Sequence, residues 1–322
     1  MKKSTKAVLI TAGIASALGA GVAYLATANY LLKLALDRSQ PKAKDKRKKK
    51  LTGNDDYSAM LEAMMNASAE LEKENFETIE IESHDGIKLV GHWYCPENPK
   101  RVIIAMHGWR SGWSQDFGVI SPFWHKNDCA VLYAEQRAQG NSEGEYMGFG
   151  LLERFDCYEW TKWVAEKTQE SLPVYLCGVS MGATTVLMTA GFELPKCVKG
   201  IIADCGFTSP HAIWKHVAEN NLKIPFGLYS AVVNDMCKKR IQATSDEYSC
   251  IEAMKNCTVP VLFAHGTDDK FVPIEMTYEN YKACAAPKKL FIVPGAAHGM
   301  SYFVDKEGYE NATLDFWQQY DR

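Results

Sequence analysis

The segment Gly178-Val179-Ser180-Met181-Gly182 carries the most reactive arrangement in the chain. It follows directly on the apolar run 174–177 and precedes 183–188, an apolar run of helical character. Strand, sharp turn and helix are the surroundings in which a Gly-x-Ser-x-Gly serine is pushed out with its hydroxyl exposed. The flanking Gly178 and Gly182 leave room for strand and helix to approach. A serine hydroxyl is a poor nucleophile until a base accepts its proton. Of the eight histidines, His84 and His92 fall in an early hairpin. His107 and His265 stand in His-Gly turns, where they shape loops, and His125, His211 and His216 have no motif around them. His298 lies beyond the last apolar run and is the expected base. An imidazole in that role needs a carboxylate to set its tautomer and stabilise its charged form. Asp269 follows the run 259–264, but Asp268 is adjacent, and position alone leaves both open. An oxyanion needs preorganised donors. The backbone N–H of Met181, just after the serine, is one. The other is most simply that of Trp109, whose ring can also wall the pocket. The chemistry these groups would perform together is acyl transfer.

Such side chains, scattered from 107 to 298, need a scaffold that gathers them. Residues 76–83 alternate, with Ile79 and Ile81 on one face and Glu80 and Glu82 on the other. Asp85-Gly86 and the run 87–94 follow, which predicts an antiparallel hairpin. The runs 102–106, 130–134, 174–177, 200–203, 259–264 and 290–293 are short and nearly all apolar. Such runs suit strands buried on both faces of a parallel sheet. Helical segments lie between several of them, for example 151–167 with its stripe of Leu152, Phe155, Trp160 and Trp163. The expected fold class is therefore α/β, a mostly parallel central sheet flanked by helices. Each run ends in a polar or glycine-rich cluster, and open α/β sheets place their sites at the carboxyl ends of the strands.

These motifs together resemble the α/β-hydrolase superfamily over residues 76–322, in the group of serine aminopeptidase-like and monoglyceride-lipase-like enzymes. The resemblance rests on His107-Gly108-Trp109, Arg137-x-x-Gly140-x-Ser142, Gly178-x-Ser180-x-Gly182, His265-Gly266-x-x-Asp269-x-x-Val272-Pro273 and Gly295-x-x-His298. The order Ser180, Asp269, His298 is that of the superfamily's triad. The fifth residue of the His-Gly-x-x-Asp pattern is the family's acid, which selects Asp269. Glu135 stands where the family commonly has Asp, a departure in a loop-shaping position. The resemblance also implies a helical lid at about 207–256. Trp214, His216, Ile224, Pro225, Phe226, Leu228, Tyr229 and Met236 would line an acyl pocket there, or serve ordinary helix packing equally well. The expected activity is hydrolysis of esters or thioesters of a hydrophobic acyl group. The runner-up is peptide or other amide cleavage, and the reading from another class is a non-catalytic binding protein on the same fold. No residue set calls for a metal or organic cofactor, and the expected partner is a small-molecule acyl substrate.

The 322 residues are 47% hydrophobic and 23% charged, which excludes disordered, collagen-like and coiled-coil chains. The net charge of −3 hides an asymmetry: residues 1–50 hold 12 Lys/Arg against 2 Asp/Glu, and the remainder 24 against 37. An acidic body argues against nucleic acid as a partner. The stretch 7–32 has no charged residue and is long enough for a membrane-spanning helix, which predicts an anchor at 1–32. A signal peptide ending near Ala26-Thr27-Ala28 is the alternative, with secretion after cleavage. A basic linker and leading helical segment at 33–75 would follow. The basic flank downstream favours a cytoplasmic body. The ten cysteines include no Cys-x-x-Cys pair and fit a reducing compartment.

Overall fold

Runs of Val, Ile, Leu and Ala have nowhere to point but into apolar layers, and here they form one sheet with helices on both faces. The computed structural model describes residues 3–39 and 55–321. The strands are β1 Glu77–Glu82, β2 Lys88–Tyr94, β3 Arg101–Met106, β4 Cys129–Ala134, β5 Val174–Val179, β6 Val198–Asp204, β7 Val261–Gly266 and β8 Lys288–Val293. Their order in the sheet is β1-β2-β4-β3-β5-β6-β7-β8. β2 pairs antiparallel with β1, as the expected hairpin requires, and also antiparallel with β4, while β3 to β8 are parallel. Every residue of β4 is buried, in keeping with two covered faces. β7 starts two residues later than the apolar run because Pro260 has no N–H for the ladder; its carbonyl still accepts from Ile201 N. β8 closes the sheet at an edge and opens with Lys288 and Lys289, charges that discourage further pairing.

The helices before the lid are α1 Lys3–Leu36, α2 Asp55–Leu71, α3 Trp113–Phe117, α4 Ser121–Lys126, α5 Glu153–Thr168 and α6 Met181–Thr189. The later ones are α7 Pro210–His216, α8 Ser230–Ile241, α9 Cys250–Lys255, α10 Ile274–Ala283, α11 Ser301–Val304 and α12 Lys306–Tyr320. α5, α6 and α9 fill one face of the sheet through Trp160, Val164, Val186 and Ala253. The opposite face is covered by Leu71 of α2, Phe117 of α3, Trp124 of α4, and Phe316 and Trp317 of α12. The predicted stripe of 151–167 is seen in part: Trp160 is buried, whereas Phe155 lies half-buried at the flank.

The expected lid region is helical. It begins where Ser209 caps α7, accepting a hydrogen bond from Ala212 N at 3.1 Å, with Pro210 in the first turn. Its helices form a third apolar cluster above the strand ends: Ile213 of α7 and Val233 and Cys237 of α8 meet Met181, Phe149 and Phe207.

The expected membrane anchor at 1–32 gains no support from the described residues. Among the described residues no helix is long and apolar enough to cross a membrane. α1 exists, but its downstream part is used inside the protein: Ala28, Leu32 and Leu36 are buried in the third cluster, against the lid. A face that packs on protein explains apolar character there without lipid. The upstream side chains, 3–18, lie outside the described residues, as does the basic stretch 40–54 of the expected linker.

Candidate active site

Three of the expected residues meet at the carboxyl edge of the sheet. Ser180 follows β5 directly and precedes α6, with φ 56° and ψ −117°. A non-glycine residue there is strained, and a tight surrounding must hold it. That tightness is visible at Gly182, where a Cβ would stand 1.8 Å from the Met106 carbonyl oxygen. Ser180 N donates to Asp204 O at 2.9 Å, tying the turn to the end of β6. Ser180 Oγ lies 2.9 Å from His298 Nε2. His298 Nδ1 lies 2.6 Å from Asp269 Oδ2. Because Nδ1 faces a carboxylate, it carries the ring proton, and Nε2 is left free to accept from the serine hydroxyl.

Asp269 sits in the turn after β7 and its side chain is fully buried. Burial pushes its carboxyl up, but hydrogen bonds from His265 and His298, and the Val272 amide, outweigh this and hold it well below the usual carboxylate range. Oδ1 accepts from Phe271 N and Val272 N, both at 2.9 Å. Asp268 is exposed and accepts from the Thr267 hydroxyl instead. The choice between the neighbours is thus made by which carboxylate turns inward.

The loop after β3 lies against the serine: a Cβ at Gly108 would be 3.4 Å from Ser180 Cβ. Gly108 N is engaged by Asp116 Oδ2 at 2.6 Å, and Arg110 N by Gln139 Oε1 at 2.7 Å. Trp109 N, between them, has no acceptor among the described residues. Met181 N is in the first turn of α6, where amides lack intrahelical partners. Met181 N thus follows the serine at the positive end of a helix, and Trp109 N belongs to the loop that lies against Ser180.

Several partners were not expected from the sequence. His265 Nε2 is 3.1 Å from Asp269 Oδ2 and its Nδ1 is 2.7 Å from Thr277 Oγ1, so it props the acid as well as shaping its turn. Asp204 Oδ1 accepts from Ser301 Oγ at 2.8 Å, and burial raises its carboxyl. Glu135, the departure from the family pattern, stands 2.7 Å from His92 Nε2 and 3.0 Å from Asn141 Nδ2. Gly140 leaves space for this longer side chain, since a Cβ there would lie 2.1 Å from Glu135 Oε2. The signals were present in the His-Gly and strand-end clusters, but partners separated by tens of residues are not.

Phe271 packs its ring edge-on against His298, with centroids 5.0 Å apart. Trp109 stacks parallel to Phe271 at 6.5 Å. Beyond these two rings opens a cleft enclosing about 740 Å³, part of it open to solvent, lined almost wholly by apolar side chains of the lid and α1. Cys205, Asp269 and His298 are close enough to hold an ion. Asp269 and His298 already bond one another and the serine, and burial raises the Cys205 thiol well above its ordinary value, so this set does not fit a metal.

Strand order and the serine turn give the chain the α/β-hydrolase fold, which the solved structures named below share. Residues 97–245 match the family model described as serine aminopeptidase, S33. That span includes Trp109, Ser180 and Met181 but ends before Asp269 and His298. The uncharacterised Bacillus subtilis (strain 168) protein YqkD is 25% identical over 76% of this chain and 81% of its own length. The Salmonella typhi protein YfhR is 26% identical over 69% and 74%. Among solved structures, the Pyrococcus furiosus esterase Pf2001 aligns with a TM-score of 0.63 at 21% identity, over 77% of this chain and 92% of that one. Est1E from Butyrivibrio proteoclasticus, solved with ferulic acid, gives 0.58 at 20% over 75% and 98%.

Proposed function

We propose that this protein is a serine hydrolase cleaving carboxylic esters or thioesters of a hydrophobic acyl group. The observation that carries the reading is the continuous hydrogen-bonded chain from Ser180 Oγ through His298 to Asp269. In this mechanism Ser180 Oγ attacks the acyl carbonyl while His298 Nε2 takes its proton. The amides of Trp109 and Met181 hold the oxyanion, each donor contributing on the order of 10²–10³ in rate. His298 then protonates the departing alkoxide or thiolate, leaving the acyl group on Ser180. Water, deprotonated by His298, releases the acid and restores the hydroxyl. Asp269 keeps the imidazole in one tautomer and stabilises its charged form.

The choice of a hydrophobic acyl group rests on the cleft beside His298. Its described lining contains no carboxylate to receive the ammonium of a peptide N-terminus, which favours esters over aminopeptidase substrates.

The test is labelling by a fluorophosphonate probe, followed by p-nitrophenyl esters of graded chain length against amide and thioester analogues. Labelling is expected in the wild type and absent in Ser180→Ala. Folded wild-type protein that takes no label would overturn the hydrolase reading in favour of a binding protein. Faster turnover of amides than esters would overturn the ester assignment.

A further inference from the structure

The downstream end of α1 is joined to the loop that carries Trp109. Trp109 Nε1 donates to the Ala35 carbonyl at 2.8 Å. The neighbouring Arg110 donates from Nη2 to the carbonyls of Leu34 at 3.0 Å and Asp37 at 2.7 Å. These are carbonyls that a helix end leaves without intrahelical partners, and a guanidinium also suits the negative end of the helix. On the lid side, Arg240 of α8 donates to Asn29 Oδ1 at 2.7 Å, and Tyr24 stacks on Tyr229 with ring centroids 4.8 Å apart. Arg38 donates to the Gly140 carbonyl at 2.7 Å, beyond the end of the helix. Polar bonds of this kind specify one seat, whereas apolar contact alone would permit sliding.

The seat closes the cleft described above. Leu31, Leu34 and Ala35 form its α1 side, Trp214 and Phe226 face them from the lid, and Trp109 and Phe271 form the floor next to His298. We infer that the end of α1 is the outer wall of the acyl-binding cleft, and that Leu31 and Ala35 set the length of acyl chain the site accepts. Removing a methylene-sized volume from an apolar pocket, or adding one, changes discrimination by roughly 10–200-fold. A chain esterified to Ser180 would run past Phe271 into this space, and α1 would limit its far end. The wall has a second effect: the residue offering the oxyanion amide has its side chain pinned by the same helix, so α1 positions Trp109 as well as confining the substrate.

This assignment rests on the serine hydrolase reading for its kinetic arm but not for its binding arm. In the full-length protein, Ala35→Phe is expected to lower the ratio of kcat/KM for decanoyl to butyryl p-nitrophenyl esters by roughly tenfold. Leu31→Ala is expected to shift the preferred chain towards longer esters. Val22→Phe, at an exposed position of the same helix, is expected to leave the ratio at its wild-type value. The binding arm uses a dansyl-undecanoate probe in the Ser180→Ala background, where Ala35→Phe is expected to weaken binding by roughly tenfold. Wild-type chain-length profiles and wild-type probe affinity in both Ala35→Phe and Leu31→Ala would overturn the inference, as would a probe that does not bind at all. If no ester is turned over but the probe binds and Ala35→Phe weakens it, the hydrolase reading fails and the wall assignment stands.

Discussion

Asp269 shows how much one buried carboxylate can depend on its donors. Its two oxygens take hydrogen bonds from two imidazoles and two backbone amides. Asp269→Asn removes the charge that stabilises the imidazolium and allows the wrong tautomer, so kcat is expected to fall by on the order of 10⁴ with folding retained. Steady-state kinetics on a p-nitrophenyl ester would measure it. The same group makes a claim about stability and pH. Its folded pKa is depressed, so the ionised form stabilises the fold above the ordinary aspartate value, about 3.9. That stabilisation is lost as pH falls through the lower folded value. The stability difference between wild type and Asp269→Asn should therefore be full at neutral pH and shrink below about pH 4. A difference that grows on acidification would contradict the arrangement.

At the scale of elements, the turn from β5 into α6 is held by close approach as well as by the bond from Ser180 N to Asp204 O. Gly178 and Gly182 let strand and helix cross almost in contact, and a Cβ at position 182 meets the Met106 backbone. Backbone cannot step aside as a flexible side chain can. Gly182→Ala should cost about 1–3 kcal/mol or more by overpacking, read from the midpoint of urea unfolding, and should lower kcat by displacing Ser180. The lid start offers a milder test. Ser209→Ala removes the cap of α7 and should cost about 1 kcal/mol, with the turn at Ser180 untouched.

For the whole molecule, the ten thiols report how the chain is buried. All are free, nine are buried, and Cys95 alone is exposed. Native protein should react quickly with one equivalent of a thiol reagent, and unfolded protein with ten. Cys95→Ser should remove the fast phase. Several fast-reacting thiols in the native state would show that the two sheet faces are open to solvent. The third cluster is shaped in the same way, since α1 supplies Ala28, Leu32 and Leu36 to a core shared with α7, α8, Met181, Phe149 and Phe207.

The parallel strands, the hairpin and the serine turn were legible along the chain because each depends on local periodicity or on a motif within one turn. Ser180 and His298 stood out for the same reason: one has its motif, the other a position after the last apolar run. What tertiary structure decided was how chemically equal neighbours are engaged. Position left Asp268 and Asp269 open until the resemblance selected Asp269, and the fold turns Asp269 inward; Trp109 N has no acceptor among the described residues, while Asp116 and Gln139 engage its neighbours, and His265 bonds Asp269 as well as shaping its own turn. The apolar N-terminal stretch makes the point most sharply. Hydrophobicity says that a surface must leave water, but not whether lipid or protein receives it, and only the packing of Ala28, Leu32 and Leu36 against the lid answers that for the downstream part of α1.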